Sequence, residues 1–117
     1  MPAGHTDKLL ALVIDALEDL KGVDIRVMDV SRLTSITDRM VIASGTSSRH
    51  VKSMANNVAR ETKQAGFQAL GIEGEQVAEW VLVDLGDVVV HVMLPKIREF
   101  YALEKLWLVG GDTNPAP

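Results

Sequence analysis

Apolar residues recur at helical spacing near the start of the chain. Leu9, Leu10, Val13, Ile14, Leu17 and Leu20 fall on one face, and Asp15, Glu18 and Asp19 fall on the other. This pattern predicts an amphipathic first helix, with Thr6 as its N-cap and Lys21-Gly22 as its stop. Ile25 to Val30 reads as a short strand, and Ser31 to Asp38 is polar and turn-rich. Met40 to Ala43 is an apolar run of strand length, expected to be buried on both faces. Gly45 ends it, and Thr46-Ser47-Ser48 opens a second helix whose inward stripe is Val51, Met54, Ala55, Val58 and Thr62, closed by Gly66. Gln68 to Ile72 reads as the next strand, and this strand–helix–strand unit predicts a crossover between two parallel strands. Two further strands, Trp80 to Leu85 and Val88 to Leu94, flank Gly86-Asp87, which suits a two-residue hairpin turn. Pro95 fits the first turn of a third helix with Ile97, Phe100, Tyr101, Leu103 and Trp107 on its apolar side.

The resulting order is helix, two strands, helix, three strands, helix. It predicts an α/β domain with one mixed sheet of about five strands flanked by helices. Residues 1–109 form the expected single domain, and Gly110 to Pro117 reads as a loose tail. The chain has 117 residues, 47% of them hydrophobic, which suits one small folded domain and excludes a disordered one. No apolar run approaches the roughly 20 residues of a membrane helix. The absence of cysteine excludes disulfides and thiol chemistry. The first residues resemble neither a signal peptide nor a transit peptide, so a cytoplasmic protein is expected.

Charge changes the picture more than composition does. The formal net charge is -4, which argues against a protein held mainly by nucleic-acid phosphates. Residues 64–95 contain no lysine or arginine but carry Glu73, Glu75, Glu79, Asp84 and Asp87 beside Trp80. Just before them, Arg49, His50, Lys52, Arg60 and Lys63 make the second helix basic. An acidic surface flanking a tryptophan suits a basic protein partner, with Trp80 as an apolar anchor. Solvated carboxylates and half-buried strand packing of Trp80 are the alternative readings.

Other candidate chemistry is thinner. Gly45-Thr46-Ser47-Ser48 stands where a phosphate could sit, but it lacks the P-loop lysine, and a helix cap explains it. Asp84 and Asp87 could ligate magnesium, although turn aspartates account for them. His91 interrupts a run of valines and reads as a hydrogen-bonded core histidine. The three histidines show no metal spacing, and no catalytic constellation assembles. No cofactor, metal or catalytic residue is expected.

Four fragments in order resemble the ribosomal silencing factor, or Iojap-like, family. They are Ser35-Ile36-Thr37-Asp38, Gly45-Thr46-Ser47-Ser48-Arg49-His50-Val51, Gly71-Ile72-Glu73-Gly74, and the block from Trp80 to Met93. Leu103-Glu104-Lys105-Leu106-Trp107 is similar to the family's final helix, and the resemblance spans roughly Thr6 to Trp107. The resemblance implies a nucleotidyltransferase-like fold without that active site, and a homodimer. It further implies binding to the large ribosomal subunit through ribosomal protein fourteen. The bound factor would block joining of the small subunit and repress translation under nutrient limitation. Carried onto this sequence, the shared partner-binding surface is Glu73, Gly74, Glu75, Trp80, Asp84 and Asp87. Asp38 and Arg49 also match, with a loop-ordering or dimer role implied. The basic second helix leaves room for secondary contact with ribosomal RNA; membrane and DNA are not expected partners. Two rivals stand beside this reading: a nucleotide-binding or nucleotidyl-transferring enzyme using Gly45, Ser47, Asp84 and Asp87, and a dimeric adaptor for a non-ribosomal basic protein.

Overall fold

The computed structural model describes the backbone of residues 3–109 and the side chains of residues 4–106. Its elements are α1 (Ala3–Asp19), β1 (Val23–Asp29), β2 (Arg39–Ser44), α2 (Ser48–Gln64), β3 (Gly71–Glu73), β4 (Trp80–Asp84), β5 (Val88–Met93), α3 (Pro95–Tyr101) and α4 (Leu103–Val109). The five strands form one mixed sheet in the order β1-β2-β5-β4-β3, as the α/β pattern of the sequence predicts. The proposed tail, residues 110–117, and the Trp107 side chain lie outside the described residues.

The alternation of side chains along β4 and β5 divides the sheet into two faces. Val81, Val83, Val88, Val90 and Val92 point to one face, where they are buried with Leu9, Val13 and Leu17 of α1 and Val51, Met54 and Val58 of α2. Each such side chain stabilises the fold by roughly 1.5–3 kcal/mol when fully buried. The other face carries a smaller cluster of Met28, Val30, Met40, Ile42 and Met93, closed by Ile97 of α3, Leu103 of α4 and the edge of Trp80. The β2 strand serves both clusters, with Val41 and Ala43 in the first and Met40 and Ile42 in the second, so Met40 to Ala43 are apolar without alternation.

Several sequence expectations need correction. Thr6 does not cap α1, because the helix begins three residues earlier; Thr6 is buried, and its hydroxyl donates to the Asp87 carboxylate at 3.5 Å. The left-handed residue that ends α1 is Lys21 (φ 62°), not Gly22. The Gly22 N–H then donates to the Leu17 carbonyl at 2.8 Å. The strands on either side of α2 run in the same direction but are not neighbours. β2 pairs in parallel with β5, and β3 pairs antiparallel with β4, so two strands lie between them. The third helix breaks in two at Ala102, which adopts a left-handed conformation (φ 49°). That turn brings Glu104 back onto Arg98, whose Nε and Nη2 donate to the two carboxylate oxygens at 3.0 and 3.1 Å. Arg98 Nη1 donates to Ser44 Oγ at 2.9 Å, so this buried arginine ties α3 and α4 to the end of β2.

Candidate interaction face

On the face opposite α1 and α2, Leu82 and Asp84 of β4 and Val89 and His91 of β5 are only half-buried, while the valines alternating with them are fully buried. Register puts Glu73 of β3 directly across from Leu82, and Gly71 across from Asp84. His91 stands between Leu82 on one side and Ile42 on the other. Ile97 of α3 and Leu103 of α4 pack over Met28, Met40, Ile42 and Met93 of this face, while Leu82, Asp84, Val89 and His91 leave the β5–β4–β3 half partly open.

Trp80 sits at the boundary between the two halves. Its indole packs against the second cluster, and its ring centroid lies 4.9 Å from that of Tyr101. Tyr101 in turn meets Phe100 edge-on at 5.0 Å. Phe100 is 78% and Tyr101 51% exposed, so the three rings make an aromatic strip running from the sheet onto α3. The sequence pattern places Phe100 and Tyr101 on the apolar side of one third helix, together with Ile97 and Leu103. Instead Ile97 and Leu103 are the partly buried apolar residues of these helices, and the two aromatic rings stand exposed on α3. Trp80 is half-buried, as the strand-packing reading expects, and stands at the rim of the partly open face.

The six partner-binding candidates do not form one cluster. Glu73, Gly74, Glu75 and Trp80 lie together at one end of β3 and β4. Glu73 is exposed and Glu75 half-buried. Gly74 (φ 89°) runs so close to β4 that a Cβ there would lie 2.2 Å from the Trp80 carbonyl oxygen. Asp84 is four residues further along β4, roughly 13 Å away by strand rise. It shares the open face, but its Oδ1 accepts from the Gly86 N–H at 2.9 Å and so shapes the hairpin. Asp87 turns toward α1, where its carboxylate meets Thr6 and lies 3.9 Å from His5 Nε2. Its backbone carbonyl accepts from the N–H groups of both Asp38 and Arg39 at 3.0 Å. Asp38 thus orders the approach to β2 through its backbone, and Arg49 is exposed on the first turn of α2.

The residues of the nucleotidyl-transfer alternative are held apart. Gly45 and Ser47 follow the Ser44 end of β2, whereas Asp84 and Asp87 adjoin its Arg39 end. Five strand steps, roughly 16 Å, separate the two ends. Ser47 Oγ accepts from the His50 N–H at 3.1 Å as a helix cap. Gly45 is needed for packing, since a Cβ there would lie 2.8 Å from Val51 Cγ2. His50 Nδ1 accepts from the Thr46 N–H at 2.8 Å, and its Nε2 meets the Leu20 carbonyl at 2.6 Å, joining this loop to the end of α1.

His91, on central strand β5, accepts at Nδ1 from Trp80 Nε1 at 3.0 Å. Burial pushes its pKa down to about 4, from an ordinary value of 6.5. The unfolded chain therefore binds a proton between those values that the folded chain does not. The resulting stability is fully present above pH 6.5 and is lost as pH falls toward 4. The shift corresponds to a loss on the order of 3 kcal/mol across that window. Urea denaturation at pH 7 and at pH 4.5 checks this, and His91→Asn is expected to flatten the difference between them.

The chain is similar to several known proteins. Residues 3–116 match the family described as ribosomal silencing factor during starvation. The ribosomal silencing factor of Chromobacterium violaceum is 55% identical over 101 residues, covering 86% of this chain and 81% of that protein. The mouse protein named mitochondrial assembly of ribosomal large subunit protein 1 is 37% identical over 111 residues, covering 91% of this chain and 49% of that protein. A crystal structure of a Chromobacterium violaceum protein superposes with a TM-score of 0.86 at 50% identity, covering 93% of this chain and 89% of that one.

Proposed function

The chain belongs to the ribosomal silencing factor family, and from that premise we propose that it binds the large ribosomal subunit through ribosomal protein fourteen. Bound there, it sterically blocks joining of the small subunit and represses translation when nutrients are limiting. It acts in the cytoplasm as a homodimer. One observation carries the reading: an open, half-buried sheet face bordered by the Trp80–Tyr101–Phe100 strip lies beside the exposed carboxylate of Glu73. The strip supplies apolar contact area. The acidic rim, within a stretch free of lysine and arginine, complements a basic ribosomal protein and steers its approach. The name of the mouse relative, which speaks of the ribosomal large subunit, points to the same partner.

Co-sedimentation with purified large and small subunits on a sucrose gradient tests the reading. Association with the large subunit alone, weakening as salt rises, is expected. Glu73→Lys should weaken it roughly threefold to tenfold at low salt, and Asp15→Lys, on the exposed side of α1, should leave it unchanged. Association with neither subunit would contradict the reading and favour an adaptor for another basic protein.

A further inference from the structure

We propose that His91 is a positioning residue of the binding face, whose Nδ1 fixes the Trp80 indole in the orientation that meets the large subunit. The proposal rests on the large-subunit reading above and adds to it a residue that touches Trp80 from the neighbouring strand.

The chemistry of the pair sets its geometry. An indole N–H can only donate, so His91 Nδ1 must accept and carries no proton. In the neutral ring the proton therefore sits on Nε2. Trp80 lies at the start of β4, next to a turn, where strand pairing alone does not fix its side-chain rotamer. Besides its packing on the second apolar cluster, two contacts restrain it: the 3.0 Å bond to His91 and the ring of Tyr101 at 4.9 Å. Of these restraints only the bond is directional, so it favours one edge of the indole within the space the packing leaves. Tyr101 is half exposed and on a short helix, whereas His91 is on a central strand buttressed by β2 and β4. His91 is the more rigid support. Without an acceptor at that point, the indole N–H would have to turn away from the second apolar cluster to find water, because an unpaired buried donor is costly.

His91 could serve binding in another way. Among the described residues no buried side-chain nitrogen or oxygen lacks a partner, and Nε2 meets no protein acceptor, so Nε2–H reaches solvent and is free to donate to a bound protein. Two substitutions separate the roles. His91→Asn keeps an acceptor close to the position of Nδ1 and removes the distal donor. His91→Gln keeps a polar group near Nε2 and removes the acceptor beside Trp80.

The experiment combines large-subunit co-sedimentation with the indole N–H resonance of Trp80 in a Trp107→Phe background. Urea denaturation identifies the folded fraction of each variant. We expect His91→Asn to keep a downfield, slowly exchanging indole resonance and to bind within about threefold of the parent. His91→Gln and His91→Phe should lose that resonance and bind roughly fivefold to tenfold more weakly, the scale of one lost hydrogen bond. Full binding by His91→Phe, or binding kept by His91→Gln and lost by His91→Asn, overturns the positioning role and leaves the large-subunit reading standing. A parent protein that sediments with neither subunit overturns both.

Discussion

Gly74→Ala is expected to destabilise the domain by about 3 kcal/mol, although the position is exposed. Two effects add. The backbone at residue 74 holds φ at 89°, where any side chain is strained. A Cβ would also be 2.2 Å from the Trp80 carbonyl oxygen, which is backbone and cannot rotate away. The turn cannot simply retreat, because the Gly74 carbonyl accepts from the Ala78 N–H at 3.0 Å. Gly66→Ala is the matched control: its φ is 98°, but a Cβ there would meet nothing within 4 Å. It should cost only about 1 kcal/mol. Urea denaturation of the two variants checks the difference, and equal losses would contradict the account. Gly74 thus belongs to the candidate surface as the residue that lets β3 close against the Trp80 backbone, with no side chain of its own to offer a partner.

Trp80→Ala is expected to weaken binding to the large subunit by 2 kcal/mol or more, about thirtyfold, the scale of an interface hot spot. Some stability will be lost as well, since the indole packs on Met93 and its cluster and on Tyr101. The domain should nevertheless remain folded, because the larger core lies on the other face of the sheet and does not include Trp80. Binding measured at a temperature where both proteins are fully folded separates the two effects. A binding loss no larger than the stability loss would mark Trp80 as a packing residue only. Trp80→Phe refines the test, keeping an aromatic body but no N–H for His91.

The elements with strong periodic signals were legible in the sequence. The α2 stripe of Val51, Met54, Ala55, Val58 and Thr62 is buried as expected, Ser47 caps that helix, and Gly86 (φ 86°) turns the β4–β5 hairpin. Strand order was less legible, because adjacency is decided by which apolar faces pack together. β5 is the most uniformly apolar strand and takes the centre beside β2, which displaces β3 to the edge. The break at Ala102 was hidden as well, since alanine carries no signal for a left-handed turn. That turn folds Glu104 onto Arg98, while Phe100 and Tyr101 stand exposed on α3, so the aromatic strip could not be read from spacing. Charge was a good guide to the acidic end of β3. It could not show that Asp87 turns toward α1, because a residue in a two-residue turn has no strand alternation to assign its face.

The central claim is that the open half of the sheet is the surface that meets ribosomal protein fourteen. A photo-crosslinking amino acid at Leu82, in the middle of that surface and directly across from Glu73 and His91, tests it most directly. With purified large subunits, illumination should link residue 82 to ribosomal protein fourteen, and the same probe at Asp15 on the exposed side of α1 should give no such product. A crosslink formed from position 15 and absent from position 82 would show that the protein docks through its helical face and would contradict the account.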